Sequence, residues 1–167
     1  MVLTKAELLT ALQNEVRTLL HLAGKIDRAQ LDYRPSPQQR STIDLLRYLT
    51  FMGPALVQAA MTEFDRSSWA AEIQAAAGRD FDESLAVIAD QADQYATLLA
   101  NMSDEDFRTS MTGFDGMATS RGAFIAKMVL GGCAAYRMQL FLYLKACGRE
   151  DLNTINLWRG VDAPAAV

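Results

Sequence analysis

Few side chains in this 167-residue sequence have both a type and a setting suited to chemistry. His21 is the single histidine, and Cys133 and Cys147 are the two cysteines. An isolated histidine can serve as a general base or a lone ligand. His21, however, falls near the end of an amphipathic stretch beside Arg17, where solvent or the negative end of a helix satisfies it. Cys133 lies in Gly131-Gly132-Cys133-Ala134-Ala135-Tyr136-Arg137. A nucleophilic or redox-sensing thiol needs a nearby cation or a helix N-terminus to lower its pKa. Mid-helix and in apolar sequence, Cys133 reads instead as a small buried hydrophobe. On one continuous helix, Cys133 and Cys147 would stand about 21 Å apart, far beyond the ~7 Å that a disulfide spans between Cα atoms. Two unpaired thiols suit a reducing compartment. The adjacent glycines cost about 2 kcal/mol of helix propensity relative to alanine. Either a cavity wall or the close approach of a neighbouring helix must compensate.

The acidic runs Asp80-Phe81-Asp82-Glu83 and Asp104-Glu105-Asp106 match helix-start and turn chemistry rather than a metal cluster. No glycine-rich phosphate loop, Ser/His/Asp set or paired-cysteine metal motif is present. The net charge of −4 argues against a nucleic-acid or anionic-membrane partner, because phosphate recognition needs a dense Lys/Arg surface. The first residues lack the apolar core and cleavage site of a signal peptide. No uncharged apolar stretch approaches membrane-spanning length; the best, Met128–Tyr136, is followed at once by Arg137. A cytoplasmic protein is expected.

Any such groups must be positioned by helices. Leu9, Leu12, Val16, Leu19, Leu20 and Ala23 predict a first helix over Lys5–Gly24. Pro35 and Pro37 force an extended connection. Ser41, with Asp44 three positions on, then starts a second helix reaching about Thr62 and kinked at Gly53-Pro54. Residues 63–81 read as irregular, with a short helix around Trp69–Ala77. Asp82 opens a third helix, whose stripe is Leu85, Ile88, Ala92, Tyr95, Leu99 and Met102. A long connection, Ser103–Thr119, leads to a fourth helix capped by Ser120 and ended by Gly148. Its core face is Ile125, Val129, Gly132, Tyr136, Leu140 and Tyr143. No convincing strand pattern appears. The expectation is an all-α, single-domain four-helix bundle over residues 1–167, with long crossover connections and the tail, 149–167, packing on the bundle or a partner.

Three segments carry a family resemblance. The run Leu31-Asp32-Tyr33-Arg34-Pro35-Ser36-Pro37-Gln38-Gln39-Arg40-Ser41-Thr42, followed by Leu45-Leu46-Arg47-Tyr48-Leu49, resembles the start of the second helix in DinB-like proteins. Tyr136-Arg137-Met138-Gln139-Leu140 resembles their His-Arg-Gly-Gln-Leu, and Asn156-Leu157-Trp158-Arg159-Gly160-Val161-Asp162 resembles the ending of one subgroup. The resemblance implies a four-helix bundle, often dimeric, related to bacterial thiol S-transferases and mycothiol-dependent isomerases. Many such proteins hold a divalent metal on three histidines, one from the second helix and two from the fourth.

Those ligand positions correspond to Tyr48, Gly132 and Tyr136 in this chain, and none is histidine. Zinc-type sites need several nitrogen, sulfur or carboxylate ligands at about 2–2.3 Å. Gly132 has no side chain, and phenols with ordinary pKa values near 10 are poor ligands at neutral pH. The expectation is therefore no metal and no cofactor, with two phenols filling the space. Asp44 and Gln139 are candidate hydrogen-bond partners for them. Cys133 adjoins the same place. Arg47 and Arg137, each next to a substituted position, either bind an acidic ligand or, more simply, form solvated salt bridges. Trp69 and Trp158 are expected to be buried on the bundle or across a dimer interface. The leading functional reading is a non-catalytic homodimer that binds a small molecule or interacts with a partner through a residual pocket near Tyr48, Gly132 and Tyr136. Its rivals are a metal-independent thiol-transferase-like enzyme with Tyr136 or Tyr48 as proton donor, and a purely structural homodimer.

Overall fold

A computed structural model describes residues 3–164. The fold is all-α apart from one small hairpin. The four helical stretches expected from the sequence are present, the second of them divided. Helix α1, Lys5–Ala23, starts at a capping box in which Thr4 and Glu7 satisfy each other's backbone N–H groups. Leu8, Leu12, Val16, Leu19 and Leu22 form its buried stripe.

The second stretch is broken rather than kinked. Helix α2, Thr42–Leu49, is capped by Ser41, and α3, Met52–Met61, follows after Thr50 and Phe51. The break precedes Gly53-Pro54. This puts Pro54 in the first turn of α3, where its missing N–H costs nothing to the helix. The short helix expected around Trp69–Ala77 is present as α4, Arg66–Ala77, one turn longer at its start, which is fixed by the Asp65 carboxylate accepting from the N–H groups of Ser67 and Ser68. Its poor amphipathicity hid its full extent: Ala76 is its one buried residue. Helix α5, Phe81–Ala100, begins at a second capping box made by Asp80 and Glu83. The acidic run there is helix-start chemistry.

A short helix, α6 (Asp104–Arg108), leads into strands β1 (Ser110–Thr112) and β2 (Ala118–Ser120), paired antiparallel with Met111 opposite Thr119. The hairpin was missed because strands of three residues are too short for a period of two to register. Helix α7, Arg121–Phe124, runs without a break through a π-helical turn, Ile125–Leu130, into α8, Gly131–Ala146. In the π turn the N–H of Gly131 reaches back five residues to the Ala126 carbonyl. The wider turn shifts the helix face, and Arg137, expected in solvent, is buried.

Helix α1 packs along α5 and α8, α3 lies against α5 and the π turn, and α2 against α5 and α8. The tail folds back as α9, Thr154–Arg159, which contacts α1 and α8 and buries Asn156 and Leu157. Residues 165–167 of the tail, like residues 1 and 2, lie outside the described residues.

Candidate functional site

Helix α2 carries Tyr48 and α8 carries Gly132, Cys133, Tyr136 and Gln139. The Tyr48 and Tyr136 rings meet edge-to-face, with centroids 5.2 Å apart at 71°. The Arg40 guanidinium sits 3.9 Å from the Tyr48 ring centre and covers its outer side. Against Gly132 lies the thioether of Met52, from the first turn of α3. A Cβ on Gly132 would meet its Cε at 3.5 Å and its Sδ at 3.7 Å, ordinary van der Waals contact. Met52 is 1% exposed. Sequence reasoning missed this side chain because α3 restarts at Met52 rather than continuing the phase of α2.

The expected partners of the phenols are engaged elsewhere. The Asp44 carboxylate accepts from the Ser41 hydroxyl at 2.7 Å and pairs with Arg34 and Arg47. It serves the start of α2, not Tyr48. The Gln139 amide donates to the Tyr143 hydroxyl at 2.5 Å, and that hydroxyl donates to the Arg40 carbonyl. No buried polar side-chain atom among the described residues lacks a partner. Burial, and then the neighbouring Tyr136 phenol, hold the Tyr48 pKa above the ordinary phenol value.

Deeper in the bundle, Tyr95 of α5 is wholly buried and its ring ends against the bare Cα of Gly53. Its hydroxyl lies 3.4 Å from Gln91 Oε1, and the Gln91 amide donates to the Leu49 carbonyl at 2.7 Å, where α2 ends. Burial, and then the adjacent Cys133 thiol, push the Tyr95 pKa up. Burial and the Glu15 carboxylate push the Cys133 thiol up to about 12. A thiol in that state is protonated at neutral pH and a weak nucleophile.

Arg137 does not form the solvated salt bridge expected of it. It is buried, pairs bidentately with Glu15 of α1 at 2.7 and 3.1 Å, and donates to the Leu157 carbonyl of α9. It ties the tail to the bundle. Arg47 donates to the Arg79 carbonyl at 2.8 Å. His21 faces Asn156 and Asp162 at the end of α1, and burial is the leading cause that lowers its pKa. Trp158 is 65% exposed, its ring under the Arg137 guanidinium, against the expectation of burial. Trp69 is half-buried on α4.

The Tyr48–Tyr136 pair is the inner end of a chain of rings. Tyr48 touches Phe51 and Trp69, Trp69 touches Phe64, Phe64 touches Phe114, and Phe114 reaches Phe124, with centroid separations of 5.1–6.3 Å. Phe51 and Trp69 also line a groove of about 1,020 Å³ between α3, α4 and α5. Tyr48, Gly132 and Tyr136 do not line it. Nothing in the sequence pointed to this groove, because α4 itself was not recognisable as a full helix.

The metal implied by the resemblance does not fit these residues. The three corresponding positions offer two phenols and a bare backbone. Among the described residues no three His, Cys, Asp or Glu side chains converge.

No family model and no curated protein matches this chain. Among solved structures, it is similar to a DinB-like protein, YjoA, from Bacillus subtilis. The TM-score is 0.65 at 14% identity, over 88% of this chain and 95% of that one. The all-α fold is thus DinB-like. No helix among the described residues is long and apolar enough to cross a membrane.

Proposed function

We propose that this protein is a non-catalytic, homodimeric binding protein on a DinB-like fold, in which the ground between the second and fourth helical stretches has become structural. The observation that carries this reading is the edge-to-face Tyr48–Tyr136 pair, together with the Met52 thioether laid against Gly132. Rings and thioether occupy the place where a ligand set would converge. The groups nearby are a phenol and a thiol whose pKa values are both raised. Neither is poised to transfer a proton near neutrality, which weighs against Tyr48 as a proton donor. Binding is assigned instead to the adjoining groove, which shares Phe51 and Trp69 with the ring chain.

Self-association is supported by the outer face of α8. Gly131, Ala135, Met138 and Leu142 recur there at helical spacing and are exposed, where an isolated bundle would carry charge. One preparation, purified without chelator, tests both parts. Elemental analysis is expected to find transition metal far below one ion per chain, and sedimentation to give twice the 18.4 kDa chain mass. A stoichiometric, tightly held ion overturns the non-catalytic reading, and a monomer overturns the dimer.

A further inference from the structure

The groove between α3, α4 and α5 is lined by two unlike kinds of side chain. One is aromatic: the Phe51 and Trp69 rings are 5.1 Å apart, and Phe64 leans on Trp69 at 5.5 Å. The other is anionic: Glu63, Asp65 and Glu72 accompany Phe64 and Trp69 along the α3–α4 connection and α4, and Asp90 and Asp93 lie on α5. Asp65 caps α4. The remaining four carboxylates form no ion pair with any described residue. Arg79 is the one basic residue in the lining, and its guanidinium donates to the Thr50 hydroxyl at 2.5 Å.

The combination selects an occupant by charge and by surface. An anion would be repelled. A neutral molecule would strip water from carboxylates and give nothing back. A second copy of this chain, itself at −4, would bring the same acidic rim against this one. A bare metal ion would leave the aromatic wall unused, and the carboxylates do not converge to hold one. A cation with an apolar body satisfies both kinds of lining, because its charge is stabilised by ring faces and by carboxylates together. The volume is that of a small-molecule site, at the upper end of the usual range of roughly 300–1,000 Å³.

We propose that this groove binds a low-molecular-weight organic cation, an alkyl- or arylammonium compound. The proposal rests on the reading of the protein as a binding protein. The test is calorimetric titration of the full chain with benzyltrimethylammonium chloride, alongside benzyl alcohol and phenylacetate. Saturable binding of the cation is expected at one per chain, weakening as salt is raised, with no binding of phenylacetate. Trp69→Leu should weaken it about tenfold. The double variant Asp90→Asn, Asp93→Asn, which alters only exposed side chains on α5 and so retains the fold, should weaken it several-fold. Absence of saturable cation binding overturns the proposal, as does equal binding of benzyl alcohol or phenylacetate, or an affinity unchanged in the charge variant. A wild-type dimer that Trp69→Leu converts to monomer assigns the groove to a second copy and also overturns it. Metal analysis of the same sample separates the two levels: a metal-free protein that ignores the cation fails this inference alone, whereas a bound stoichiometric ion fails the underlying reading.

Discussion

The seam between the second and fourth helical stretches and the groove between α3, α4 and α5 share the wall made by Phe51 and Trp69. They differ in what faces that wall. In the seam, beneath the Arg40 guanidinium that covers Tyr48, the neighbours are neutral: Tyr136, the Met52 thioether and, deeper, the Cys133 thiol and Tyr95. In the groove they are carboxylates in contact with water. A volume that must stay dry admits uncharged phenols, thiols and thioethers, and burial holds the protons of Tyr48, Tyr95 and Cys133 in place. A volume open to solvent tolerates unpaired charge. The DinB-like fold here closes the first volume and leaves the second open.

If the seam is closed as tightly as this contrast requires, Gly53→Ala will have the largest effect. A Cβ there would stand 1.8 Å from the Tyr95 hydroxyl oxygen and 3.4 Å from a Val129 methyl. Tyr95 is wholly buried and cannot swing away. Overpacking of this kind costs about 3 kcal/mol, read as a lower midpoint in urea unfolding. Adding Tyr95→Phe removes the colliding atom and should recover a substantial part of that loss. A Gly53→Ala protein as stable as wild type would show that the seam can breathe, and the contrast with the groove would fail.

An intermediate effect is expected in alkali. Tyr48 and Tyr95 both have folded pKa values raised above the unfolded value, chiefly by burial. The stability they contribute is complete below the unfolded phenol pKa of about 10 and is lost as pH climbs above it. Phenolate absorbance followed upward in pH, with Tyr48→Phe and Tyr95→Phe variants to assign the signals, should therefore show Tyr48 and Tyr95 silent while the chain remains folded, and appearing only with unfolding. Smooth titration of these two in a folded protein would place solvent inside the seam.

The sequence makes one of these regions far more legible than the other. The helical periodicities of α1 and α5 and the caps at Ser41 and Ser120 were readable, because each is written in local spacing. The sequence places the start of α5 at Asp82, two residues past its cap Asp80, and pairs Tyr48 with Tyr136 only through the family resemblance. The identity of the filler was not. Met52 enters only because the chain breaks at Thr50 and Phe51, and the π turn at Ile125–Leu130 then rotates α8 and sends Arg137 inward to Glu15. A straight-helix projection cannot contain either change of phase. The groove was invisible for a different reason. Helix α4 buries little apolar surface, so it has no stripe to read, and a groove between three helices exists only once the third is placed.

The smallest effect, Gly132→Ala, tests what kind of vacancy a glycine represents. The resemblance places Gly132 where a metal ligand would stand, and a bare position could persist there because something needs the room. The observed contacts say otherwise: an added methyl would meet the Met52 thioether at 3.5–3.7 Å without forcing it to move. Removing a mid-helix glycine then gains about 1 kcal/mol in helix propensity, with no packing penalty to set against it. Gly132→Ala is therefore expected to stabilise the protein by up to that amount and to leave groove binding unchanged, since Gly132 lies outside the groove lining. A loss of stability would mean that the α2–α8 seam needs the missing side chain. A loss of binding would mean that the two regions are coupled through Met52 and the break beside it, and the division between a closed seam and an open groove would have to be replaced by a single site.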